Sequence, residues 1–167
     1  RVPNIQLRSI FYILFLFTIS INVSANEIYC KFEEVYKDGS IQNGFFIIKN
    51  DGMRYQYKDK ELYTLFFKNS EFFIVNHSNN KNFQKINQNT DLIKELFNLY
   101  QKYPNIKNEY SKNNLFIRLE PSLEKIFYKR ISISSESLDI SIYLNDCQKS
   151  SFHQRYYNYS PYFEFKN

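Results

Sequence analysis

The 167-residue chain has no tryptophan, one methionine, two cysteines, two histidines and three glycines, and each scarcity removes a class of function. Gly39, Gly44 and Gly52 do not fall at the spacing of a G-x-G-x-x-G turn or a Walker loop, whose backbones must approach phosphate closely. Nucleotide cradles of those kinds are excluded. Cys30, His77, Cys147 and His153 stand too far apart for a local zinc pattern, so no metal is expected. Neither H-E-x-x-H nor G-x-S-x-G occurs, and each histidine lacks a neighbouring carboxylate and reads as a solvated side chain. The expectation is a protein with no catalytic residues and no cofactor, one that is not an enzyme. The net charge is +5, but basic residues alternate with acidic ones and form no run, which argues against a nucleic-acid groove.

What the chain has is aromatic side chains, 17 Phe and 15 Tyr, spread through almost every stretch. A chain with that much apolar surface folds, and its length suits one domain. Residues 1–25 differ in kind. Arg1 and Arg8 are their only charges, an apolar stretch of about a dozen follows from Ile10 to Ile21, and small residues close it at Val23-Ser24-Ala25. This order reads as a secretory signal peptide cleaved after Ala25, leaving a domain over 26–167. The apolar stretch is shorter than the roughly 20 residues that cross a bilayer. Glu27-Ile28-Tyr29 precedes Cys30 where a lipoprotein signal needs small or aliphatic residues, so the product itself is not expected to be lipidated.

Period-two alternation recurs in the rest of the chain and belongs to half-buried strands. Leu138, Ile140, Ile142 and Leu144 alternate with polar neighbours, as do Leu115, Ile117 and Leu119. Asp51-Gly52 supplies a turn between Phe45–Ile48 and Met53–Lys58, and Lys68-Asn69-Ser70-Glu71 joins Leu62–Phe67 to Phe72–Val75. Further strands are expected at 28–36, 83–87, 126–134 and 151–158. After Asn89 or Thr90 as N-cap, Leu92, Ile93, Leu96, Phe97, Tyr100 and Tyr103 fall at helical spacing until Pro104, which predicts one amphipathic helix over 91–103. About nine strands and one helix give a mostly β (α+β) fold: an incomplete, strongly curved antiparallel barrel with the helix on its apolar concave face. The doublets Phe45-Phe46, Phe66-Phe67 and Phe72-Phe73 put aromatics on both faces of their strands. Either both faces are covered, or one lines an apolar cavity. Cys30 and Cys147, in a chain bound for an oxidising compartment, are either bridged or two buried thiols.

The order of segments Gly44–Lys49, Met53–Tyr57, Phe72–Val75 and a short helix, closing on Asp146, a strand through Phe152–Asn158 and Phe163-Glu164-Phe165, resembles the periplasmic outer-membrane lipoprotein carrier family, LolA-like. The resemblance implies a half-barrel chaperone that takes the acyl chains of lipoproteins and carries them between membranes during outer-membrane biogenesis. It implies acylated lipoproteins as cargo, and an inner-membrane release complex and an outer-membrane acceptor as partners, for a protein that acts as a monomer. Cargo would contact Phe46, Ile48, Met53, Tyr55, Leu65, Phe67 and Phe73 of the sheet and Leu92, Leu96 and Phe97 of the helix. Lys49 would take the place of the arginine that holds the lid closed, although a lysine at a strand end is ordinarily just solvated. The family's long first helix has little room before Ile28. A second reading of the same half-barrel is a periplasmic lipid or lipoprotein sensor that reports envelope state to a partner protein.

Overall fold

A computed structural model describes residues 27–78, 83–87 and 91–158. The expected signal peptide, the helix N-cap and Phe163-Glu164-Phe165 lie outside the described residues. Ten strands form one open antiparallel sheet: β1 (Ile28–Tyr36), β2 (Ile41–Lys49), β3 (Gly52–Tyr57), β4 (Tyr63–Lys68), β5 (Glu71–Asn76), β6 (Phe83–Ile86), β7 (Glu109–Lys112), β8 (Leu115–Pro121), β9 (Tyr128–Ser134) and β10 (Asp139–Lys149). Among the described residues there is one α-helix, α1 (Asp91–Lys102), which stands between β6 and β7 in the chain. The order across the sheet is β6-β5-β4-β3-β2-β1-β10-β9-β8-β7. From β1 at the middle of the sheet the described chain therefore runs by hairpins to one edge, passes through α1 to the opposite edge, and returns to the middle with β10.

The turns follow from residues that tolerate a left-handed backbone. Asn69 (φ 53°) and Ser70 (φ 63°) link β4 to β5, and Asn113 (φ 51°) and Asn114 (φ 62°) link β7 to β8. Two consecutive positive φ values make the tight turn whose twist matches that of the strands it joins. The β2–β3 turn sits one residue earlier than Asp51-Gly52: Lys49 pairs with Gly52, and the loop is Asn50-Asp51.

Two expectations need correction. Residues 151–158 form no strand; Gln154–Tyr157 is a 3₁₀ turn, capped where His153 accepts from the Arg155 N–H. Its aromatics pack on the sheet instead of extending it: Tyr157, Phe152 and Tyr156 join Tyr29, Phe45 and Ile47 in a small cluster. His77 is not simply solvated either. Its Nδ1 lies 2.7 Å from the Asp59 carbonyl and its Nε2 2.9 Å from the Thr64 hydroxyl, so it ties the β3–β4 loop to β4.

The two faces of the sheet are unequal. One carries the main core: Cys30, Phe32, Phe46, Ile48, Met53, Tyr55, Leu65 and Phe72 from β1–β5, Ile117, Leu119, Ile131, Ile133, Ile140 and Ile142 from β8–β10, and Ile93, Leu96, Leu99 and Tyr100 from α1. The opposite face is covered around β1–β3 by the 3₁₀ segment and carries ion pairs elsewhere, among them Lys31–Asp146 and Arg130–Glu120. The phenylalanine doublets thus report a sheet with both faces covered at β2–β4. Phe46 lies in the helix-side core and Phe45 in the opposite cluster, while Phe66 is fully buried with the Arg54 guanidinium 4.9 Å from its ring centre.

Candidate functional site

The cross-strand register places the expected cargo residues in two adjacent rows. Phe46 pairs with Tyr55 and Tyr55 with Leu65; in the next row Ile48 pairs with Met53, Met53 with Phe67, and Phe67 with Phe72. Side chains alternate along a strand, so residues directly paired across strands share a face. The alternation also corrects one residue. Phe73 pairs with Phe66 on the opposite face and packs against Phe83, and the aromatic that continues the row is Phe72.

Helix α1 covers these rows. Leu96 joins Phe46, Ile48, Met53, Tyr55 and Phe127 around a cavity of only about 10 Å³. Phe97 lies 4.5 Å from Phe67 between ring centres, and Leu92 packs at the edge of the same core. A space of that size holds about one water and no acyl chain, so the rows are filled by the helix. The helix is tied to β7 through Glu95, which is 3% exposed. Its carboxylate accepts from Asn98 at 2.7 Å, the Tyr110 hydroxyl at 2.5 Å and Lys112 at 3.0 Å. Burial alone would raise the Glu95 pKa, but these hydrogen bonds and the Lys112 charge outweigh it and hold the carboxyl below its ordinary range.

The structure does not bring Lys49 to the helix. Its ammonium lies 3.3 Å from Gln154 Oε1, 3.5 Å from Asp51 and 4.3 Å from the Tyr157 ring centre, all on the side of the 3₁₀ segment. The residue that sequence reasoning missed on that face is Arg54. It is fully buried, gives its Nε and Nη2 protons to Gln56, and reaches the Tyr156 and Asn158 carbonyls at 3.4 Å. Burial pulls its pKa down to about 9, which leaves the guanidinium charged at neutral pH. Lys49 and Arg54 therefore hold the C-terminal segment to the sheet. Cys30 and Cys147 are bridged, with Cα atoms 4.1 Å apart, where Asp146 (φ 49°) bulges β10 against β1.

A second buried carboxylate, also unanticipated, sits at the far end of the helix-side face. Glu34 is 0% exposed and accepts from three phenols: Tyr55, Tyr36 at 2.7 Å and Tyr57 at 3.2 Å. Desolvation raises its pKa despite those donors. Among the described residues no group of three or more His, Cys, Asp or Glu is placed to hold a metal, and no helix is long and apolar enough to cross a membrane. No protein-family model and no curated protein matches the chain.

Proposed function

We propose that this protein is a half-barrel acyl-chain carrier of the lipoprotein-carrier type, in which α1 is a lid that cargo displaces from the concave face. The observation that carries the reading is the pair of apolar rows, Phe46-Tyr55-Leu65 and Ile48-Met53-Phe67-Phe72, covered by one short helix. An acyl chain presents only methylenes, so its receptor needs broad apolar area and few directed polar groups. The exchange is balanced in magnitude. Burying Ile93, Leu96, Leu99 and Tyr100 contributes roughly 6 to 12 kcal/mol at about 1.5 to 3 kcal/mol each, and a chain of about 14 methylenes at ~0.8 kcal/mol each contributes roughly 11. Cargo of that length can replace the helix without unfolding the sheet.

Export to the periplasm through residues 1–25, and hand-over from an inner-membrane release complex to an outer-membrane acceptor, complete the proposal. The Cys30–Cys147 bridge supports an oxidising compartment. The test is titration of the protein with a fluorescent fatty-acyl probe while amide exchange is followed in α1. Saturable binding with faster exchange in α1 is expected. Met53→Glu, which sets a carboxylate among Phe46, Ile48 and Tyr55, is expected to weaken binding by at least about tenfold while circular dichroism stays unchanged. Absence of probe binding to the parent protein, or binding that leaves α1 protected, rejects the carrier reading.

A further inference from the structure

At the end of β2 and β3 remote from Met53, a separate pocket of about 220 Å³ opens to the surface, lined by Tyr36, Ser40, Gln42, Tyr57, Leu62 and Tyr63. It is small for a chain or a drug-sized molecule and suits a compact ligand. Tyr57 and Tyr63 pack edge to face, 5.1 Å apart between ring centres at 80°, and line the pocket together with Tyr36. Behind those rings lies Glu34, fully buried, held by the Tyr36, Tyr55 and Tyr57 hydroxyls. Among the described residues no cation pairs with it.

We propose that this pocket binds an organic ammonium ion, a primary or methylated amine on a short stem, with the tyrosine rings as its cage and Glu34 as the buried countercharge. Three features argue for a cation. The faces of phenol rings are negative and attract an ammonium group within about 6 Å of their centres. The Tyr36 and Tyr57 hydroxyls both reach Glu34, and Tyr57 also hydrogen-bonds with Tyr36 and Tyr63, so the phenol oxygens form one acceptor-rich cluster around the carboxylate that can receive an N–H or a polarised N-methyl group. A buried carboxylate is ordinarily paired with a positive charge, and a ligand can supply the one that the described residues do not. An anion would meet the same ring faces and the same carboxylate unfavourably.

The local backbone holds the cage in shape before a ligand arrives. Between β1 and β2, Gly39 takes φ +82°, the Tyr36 N–H donates to the Ser40 carbonyl at 3.0 Å, and Asp38 accepts from both the Ser40 N–H and hydroxyl. Tyr36 and Ser40 are thereby fixed across the mouth. A preformed cage loses little side-chain entropy on binding.

The test uses choline as probe and 3,3-dimethylbutan-1-ol, its uncharged carbon isostere, as control, read by chemical-shift changes of the tyrosine rings in the full chain. Choline is expected to saturate the site in the millimolar range or below, and the isostere to bind at least about tenfold more weakly. Glu34→Gln and Tyr63→Leu should each weaken choline by about tenfold or more; Tyr63 is only partly buried, so its variant keeps the test valid should Glu34→Gln fail to fold. Phosphatidylcholine vesicles identify the source: binding competed by choline assigns a lipid headgroup, and absence of vesicle binding assigns a free amine. Equal affinity for the isostere, no saturation by choline, or undiminished choline binding in a folded Glu34→Gln variant overturns the proposal.

Discussion

Gly44 shows how much can rest on a single missing side chain. A Cβ there would lie 2.0 Å from the Gln56 carbonyl oxygen and 2.4 Å from the Phe32 ring, which occupies the space a side chain would take and stacks on Tyr55 at 4.2 Å. The clash is with paired backbone, so it cannot be relieved by rotating a side chain. Gly44→Ala should cost about 3 kcal/mol or more, read as a lowered urea midpoint. Glu34 makes the opposite case, a side chain kept at a cost to stability. Its pKa is raised above 4.5 by desolvation, so folding favours its protonated form. The stability it contributes is present below pH 4.5 and lost as pH rises through the folded-state value. Glu34→Gln, nearly isosteric and uncharged, should therefore unfold at the same or higher urea concentration than the parent at pH 8, with the gap closing towards pH 4.5. Destabilisation at pH 8 would show that the carboxylate is worth more to the tyrosines than its burial costs.

Among the elements, the β2–β3 and β4–β5 hairpins and α1 were legible because each has a local cause: alternation for strands, helical spacing ended by Pro104, and Asn-Ser for a tight turn. What stayed hidden depends on packing. Period two shows that Phe72 and Phe73 face opposite ways but not which one meets α1, and that choice exchanges the two residues. Strand β7 is too short to show a period and was not expected; the Asn113-Asn114 pair that forms its turn is the one signal that could have found it. The aromatics of 152–157 read as a strand because Phe and Tyr favour sheets, yet they serve to cover Phe45 and Ile47. Buried Arg54, Glu34 and Glu95 leave no sequence trace, since a charge on a strand or helix ordinarily faces water.

Glu95 also makes the attachment of α1 testable. With its pKa held below 4.5, its stabilising contribution is complete above that pH and declines as pH falls through the folded-state value. Acid should loosen the helix from β7 before it melts the sheet. Glu95→Gln keeps the shape but weakens the bonds from Lys112 and Tyr110, so it should speed amide exchange in α1 at pH 7 and remove the acid sensitivity of that exchange. Equal exchange in parent and variant would show that apolar contacts alone hold α1.

At the scale of the molecule, the first and last strands are neighbours at the centre of the sheet, and the chain between them makes both halves. Every hairpin pairs residues close in sequence; the β1–β10 ladder must close almost the whole described chain before its contacts form. The Cys30–Cys147 bridge spans 117 residues at that ladder. Its effect falls mainly on the unfolded chain, from which it removes loop-closure entropy worth roughly 5 kcal/mol for a loop of this length in the chain-entropy model. The double variant Cys30→Ala/Cys147→Ala should keep the sheet, because Phe32↔Leu144, Glu34↔Ile142 and Tyr36↔Ile140 still pair β1 with β10. It should nevertheless lose roughly 2 to 5 kcal/mol of unfolding free energy, which is a large share of the 5 to 15 typical of a domain. Urea denaturation of parent and variant, each checked for native-like circular dichroism, measures the loss. A difference below about 1 kcal/mol would mean that the unfolded chain already holds its ends together, and that the ladder rather than the bridge joins the two halves.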